Sequence, residues 1–171
     1  MSISMYQASA PVFIRMLSNL AAILDKAQAH ADAKKFDSAN YLGARLAPDM
    51  LPFSKQVQIA CDAAKGAMAR LAGVEIPKHA DTEASIAELK ARIATVIDYV
   101  KSFKPEQING TEGKEIVLKL GPKQDFILNF TGITFLQGFA LGNLYFHITT
   151  AYALLRHMGV DLGKQDFLGA P

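Results

Sequence analysis

The stretch G-N-L-Y-F-H-I-T-T-A-Y-A-L-L-R-H-M-G, residues 142–159, decides the fold. It reads as a helix that begins near Asn143 and stops at Gly159, a residue suited to the left-handed turn that ends helices. At ~100° per residue, Asn143, His147, Thr150, Leu154 and Met158 fall on one stripe. A polar start to an otherwise apolar stripe is expected of a bundle helix that lines an internal pocket.

Working outward, residues 131–141 are apolar and glycine-spaced, with Gly132, Gly138 and then Gly142. They read as a short helix or an irregular segment packed into the core. Just before them the period changes. Ile116, Leu118 and Leu120 alternate with Val117 and Lys119, and Phe126, Leu128 and Phe130 alternate with Ile127 and Asn129. With Gly121-Pro122-Lys123-Gln124 as the turn, this is a two-stranded hairpin. A lone hairpin is marginal in water, so it is expected to pack on the helices. Beyond Gly159, residues 160–171 read as an irregular tail anchored by Phe167 and Leu168.

Three more amphipathic helices precede the hairpin. The first lies within residues 2–35, with Phe13, Met16, Leu17, Leu20, Leu24 and Ala27 on one face. Pro11 either starts it or kinks a longer helix. His30 is expected at its exposed end. The second is expected from Asp49, as N-cap, to Gly73, with Pro52 in its first turn. Its inward stripe is Phe53, Val57, Ala60, Cys61, Ala64, Met68 and Leu71, and Asp62 and Lys65 can pair on its surface. Residues 74–80 form a loop with His79 in solvent. The third helix is expected to be capped by Asp81 or Thr82, with Glu83 in its first turn. Ile86, Leu89, Ile93, Val96, Ile97, Val100 and Phe103 make its apolar face, Glu88 and Arg92 an i, i+4 pair on the opposite side, and Pro105 closes it. Residues 36–49 are long for a helix–helix link, so they are expected to cross the bundle or cover a pocket, pinned by Tyr41, Leu42 and Leu46. The class is mainly all-α: a four-helix bundle with a small β-hairpin before the last helix, in a single domain over residues 1–171.

Composition narrows the function classes. Half of the 171 residues are hydrophobic, enough for a sizeable core. A formal charge of +2 without a basic stripe argues against nucleic acid. The single cysteine, Cys61, excludes an intrachain disulfide, sits in an apolar stripe as a structural thiol, and fits a reducing, cytoplasmic location. Residues 126–155 contain no Asp, Glu, Lys or Arg. Their glycines, threonines, amides and histidine favour a buried core over a membrane span. No phosphate-binding loop, dinucleotide fingerprint, nucleophile elbow or H-E-x-x-H occurs.

The runs Y-Q-A-S-A-P-V-F-I-R-M-L-S-N-L from Tyr6, L-A-P-D-M-L-P-F-S-K-Q-V-Q-I-A-C-D-A-A-K from Leu46, F-A-L-G-N-L-Y-F-H-I-T-T-A-Y-A-L-L-R-H-M-G from Phe139 and G-K-Q-D-F-L-G from Gly163 resemble the DinB/YfiT-like superfamily of bacterial four-helix bundles, and within it an uncharacterised domain-of-unknown-function branch. The resemblance spans nearly the whole chain. It implies a metal triad of one histidine from the second helix and an H-x-x-x-H pair on the last. That pair falls on Asn143 and His147 here, and the second helix offers only Gln56, Gln58 and Asp62 on its inner face. Three protein ligands, usually imidazole, thiolate or carboxylate, are what a stable site needs. A complete triad is therefore not expected. His147 alone remains a candidate ligand for a weakly held divalent ion such as zinc or nickel.

His147, Asn143 and Thr150, with Gln56, Asp62 and Tyr6 facing them, are the candidate ligand-binding residues. The leading expectation is a small-molecule-binding bundle without a bound cofactor. A metal-dependent hydrolase or thiol transferase, as the superfamily implies, is the alternative. A third reading is a non-catalytic homodimer in which Tyr152 or Arg156 meets a second chain.

Overall fold

The computed structural model describes residues 2–169 apart from 122 and 124, so the centre of the expected hairpin turn lies outside the described residues. Four long helices form the body: α1 (Ala10–Lys34), α2 (Phe53–Ala72), α3 (Ile86–Lys101) and, as the sixth helix in chain order, α6 (Leu141–His157). Between α3 and α6 lie a short α4 (Pro105–Ile108), strands β1 (Glu115–Leu120) and β2 (Phe126–Thr131), a single turn α5 (Gly132–Thr134) and a π-helical segment, Phe135–Ala140, that runs directly into α6. A final short helix, α7 (Lys164–Leu168), ends the described chain.

In the bundle α1 packs mainly on α3 and α2 mainly on α6 and α3, so α1 and α2 sit on a diagonal. That arrangement explains the long link between them. Residues 35–52 must cross the bundle end, and Tyr41, completely buried, pins them there. Leu42 is half-buried as expected, but Leu46 is exposed, because Tyr41 and the partly buried Phe36 already cover the apolar surface near His30. His30 itself is half-buried rather than free, with Nδ1 2.6 Å from the Tyr41 hydroxyl.

Pro11 falls in the first turn of α1, where its missing N–H costs nothing. The inward stripe of α2 is buried throughout. The helix begins at Phe53 with Pro52 as N-cap, not at Asp49, because extended backbone at Pro52 forces the start there. It ends on Gly73 at φ +77°. On α3 the cap is Ser85, whose hydroxyl accepts the Glu88 N–H, while Glu88 accepts the Ala84 N–H. Asp81 and Glu83 are not part of this helix. Both carboxylates are drawn instead to Arg92.

The hairpin is antiparallel with Ile116 opposite Phe130 and Leu118 opposite Leu128. Ile116 and Leu118 are buried against the bundle. At its exit Gly132 passes so close to Thr111 that a β-carbon there would sit 1.9 Å from the Thr111 carbonyl oxygen. Only glycine fits. The tail then runs back along α1: Asn19 donates to the Phe167 carbonyl, Arg15 to the Leu168 carbonyl, and Lys26 pairs with Asp166. Among the described residues no helix is long and apolar enough to cross a membrane.

Candidate functional site

The α2–α6 seam carries the polar residues singled out in the last helix. His147, 8% exposed, turns Nδ1 to within 2.7 Å of Gln56 Oε1. The partner is thus on α2, a helix away. The Gln56 amide is oriented by its other end, because Nε2 donates to the Leu51 carbonyl at 2.9 Å. Its oxygen must therefore accept, so Nδ1 of His147 carries the proton and Nε2 holds the bare lone pair. Burial also pushes the imidazole pKa down, which keeps the ring neutral. Among the described residues Nε2 makes no hydrogen bond.

One turn earlier Asn143 stands where the π-helical segment gives way to α6. Its Nδ2 donates to the Phe139 carbonyl at 2.8 Å. The wider turn of a π segment displaces side chains relative to a regular helix, and such segments recur at functional sites. Here it turns Phe135 and Phe139 toward α2 and the hairpin, where their rings stack at 5.9 Å, with Phe130 close to both.

Between these rings and α2 lies a cleft of about 400 Å³. Ile59 and Ala63 of α2, Leu120 of β1, and Phe135, Phe139 and Ala140 of the π segment form its apolar walls, and Asp62, Arg70 and Asn143 its polar edge. The candidates of the last helix are thereby divided: Asn143 lines the cleft and His147 does not. Thr150 is buried with its hydroxyl donating to the Phe146 carbonyl of its own helix. Tyr6 is half-buried on the core, its backbone N–H bonded to Asn109 Oδ1, and lies outside the cleft lining.

Asp62 lines the cleft but is already neutralised, by Lys65 at 2.8 Å and by Arg92 at 2.9 Å. Sequence spacing suggested a surface pair with Lys65, yet Lys65 is buried, because the loop of residues 74–80 lies over it and its ammonium also donates to His79 Nδ1 at 3.3 Å. His79 is accordingly half-buried, not free in solvent. Arg92, expected to face solvent beside Glu88, points inward with its side chain 2% exposed. It binds Asp62, Asp81 and Glu83 and ties residues 81–83 to the bundle. Beneath it the Cys61 thiol is fully buried and pushed up to about 12 by that burial.

The resemblance implies metal ligands at Asn143, at His147 and at one of Gln56, Gln58 and Asp62. These residues do not fit a tightly held ion. The Gln56 oxygen is spent on His147, the Gln58 amide donates to Glu83, the Asp62 carboxylate is paired with Lys65 and Arg92, and of the two positions on α6 only His147 offers an imidazole. Among the described residues no three His, Cys, Asp or Glu side chains gather so as to hold a metal.

Residues 5–168 match the family described as a domain of unknown function, DUF1993. The chain belongs to this family. A crystal structure described as a DinB family member protein from Shewanella denitrificans is similar over 97% of this chain and 92% of its own, at 45% identity and a TM-score of 0.87. This DUF1993 chain is thus a DinB-like helical bundle. A comparison with curated proteins gave no match.

Sequence reasoning missed Arg70, Phe135 and Phe139. Nothing in the sequence sets Arg70 apart from the other polar residues of α2. The aromatic pair lay in the glycine-spaced run, whose four-residue spacing reveals nothing of a π turn.

Proposed function

We propose that this DUF1993 protein is a cytoplasmic small-molecule-binding bundle, with the cleft between α2, the hairpin and the π segment as its site. The observation that carries this reading is the cleft: a recess of about 400 Å³ with aromatic walls and a few convergent polar groups. Asn143 sits at its edge with one amide hydrogen committed to Phe139 and its oxygen without a protein partner among the described residues. That oxygen is a group that can orient a guest. The neutral His147–Gln56 pair one turn away stiffens the α2–α6 seam behind it.

A fragment library followed by thermal shift tests this. Several fragments are expected to raise the melting temperature of the wild type. They are expected to lose their effect on Ala63→Phe, which places a ring in the cleft. A library without a single hit would sink the proposal.

A second reading is homodimerisation through α6. Tyr145 and Phe146 are its most exposed aromatic residues, at 40% and 55%. Tyr152 is less suited to such contact, since it packs edge-on against Phe167 of the tail. Sedimentation over a range of concentrations, with Phe146→Glu as control, discriminates. A concentration-independent monomer ends this reading.

A further inference from the structure

We infer that the guest of the cleft is an amphipathic anion, an apolar or aromatic body carrying one carboxylate, with Arg70 as the group that receives the charge. The inference rests on the cleft being a binding site and goes on to name the class of ligand.

Arg70 lies at the polar edge of the cleft. Among the described residues it has no carboxylate within ion-pair distance, in contrast to Arg92. Its one hydrogen bond runs from Nη1 to the Gly66 carbonyl at 3.1 Å. A guanidinium has five N–H donors in a planar fork, so most of its capacity is free and directional.

Its position is built by the backbone. A β-carbon on residue 66 would stand 2.5 Å from Arg70 Nη1, so Gly66 is what allows the guanidinium to fold back along α2. Folded this way, it is half-buried, and burial lowers its pKa, the mark of a cation that has lost water without gaining a counter-ion.

The other charge on the lining is already engaged. Asp62 pairs with Lys65 and shares Arg92 with Asp81 and Glu83. Of the two charged side chains on the lining, Arg70 is thus the one without an ion-pair partner among the described residues. A carboxylate there gains charge-assisted, fork-shaped hydrogen bonds, while Ile59, Ala63, Phe135 and Phe139 take the apolar body. A free amine would meet Arg70 with like charge, and an alcohol would gain less.

Calorimetric titration with 4-phenylbutyrate, 4-phenylbutan-1-ol and 4-phenylbutylamine tests this, since the three share a body and differ in the head. The acid is expected to bind about ten- to a hundredfold more tightly than the alcohol, and the amine most weakly. Arg70→Gln should bring the acid down to the alcohol. Gly66→Ala, which displaces the guanidinium but keeps its charge, should lower the acid's affinity and leave the alcohol's unchanged. Equal binding of all three, or a preference for the amine, overturns the anion inference and leaves the cleft as an uncharged binding site. Failure of all three to bind at millimolar concentration overturns both.

Discussion

His147 Nδ1 and Gln56 Oε1 stand 2.7 Å apart across the α2–α6 seam, an imidazole and an amide satisfying each other. The pairing withholds the Gln56 oxygen from any ion. Chelator treatment is therefore expected to leave the melting temperature unchanged, and protein purified without a histidine tag should contain no stoichiometric zinc or nickel by elemental analysis. Gln56→His with Asn143→His should gain zinc affinity, because it supplies the imidazoles that the pair lacks. Stoichiometric metal in the unmodified protein contradicts this account.

The same pair makes stability depend on pH. The folded pKa of His147 lies below its ordinary value of 6.5, owing to burial. Above about pH 6.5 both folded and unfolded chains hold it neutral, and its full contribution is present. As pH falls below that, the unfolded chain takes the proton first, and stability drops until the folded pKa is reached. His79 is lowered too, by burial and then by Lys65 and Arg92, so it adds in the same direction. Urea midpoints between pH 7.5 and 5 should fall, and less steeply in His147→Gln. A flat profile rules this out.

Arg92→Met should loosen residues 74–85 more than the bundle. Removing one partner of a fully buried ion pair costs about 3–5 kcal/mol. Asp62 and Asp81 remain partly hydrated, so a loss of about 2–3 kcal/mol is expected. Burial raises the Asp81 and Glu83 pKa values, but hydrogen bonds outweigh it, from Arg92 and Lys55 for Asp81 and from the backbone, Arg92 and Gln58 for Glu83, and hold both below the usual carboxylate range. Their contribution is present above about pH 4 and fades as pH falls through the lowered values. Hydrogen exchange should show the added opening confined to that loop. Uniform loss of protection across all helices would speak against a strap.

Gly132→Ala is expected to cost at least about 3 kcal/mol, at or beyond the usual range for overpacking, because the obstacle is the Thr111 carbonyl and not a movable side chain. Denaturation of this variant beside Gly138→Ala, where nothing lies within 4 Å, isolates the effect. Equal losses would mean that the close approach carries no weight.

The Cys61 thiol should resist Ellman's reagent in the native protein. It is fully buried, and at about 12 its pKa leaves almost no thiolate at neutral pH. Labelling in rising urea should follow global unfolding. Rapid labelling without denaturant would mean that α2 opens locally.

The helices were readable because their apolar residues repeat at the helical period, and almost every residue placed on an inward stripe is buried, from Phe13 to Leu154. The hairpin was readable from its alternation. Polar residues were harder. Arg92 reads as a surface cation beside Glu88, since nothing in its neighbourhood along the chain announces Asp62, Asp81 and Glu83. Pairings over such separations depend on how the loop folds back. Asn143 and His147 were correctly placed on one face, yet that face meets α2 and the cleft at different heights. The cleft itself owes its shape to Phe135–Ala140, and a change of helical winding leaves no periodic mark in a six-residue segment.

That change of winding takes up one residue of extra length. Six residues in the wider i→i+5 winding turn about as far as five at ~100° each, so a one-residue deletion within 135–140 that restored regular winding would leave the following helix facing nearly the same way. The carboxamide of residue 143 and the imidazole of residue 147 would keep their aim, while the wall built by Phe135 and Phe139 would be lost. The segment is slack wound into a rod: it reshapes the recess beside it and spares the helix face beyond.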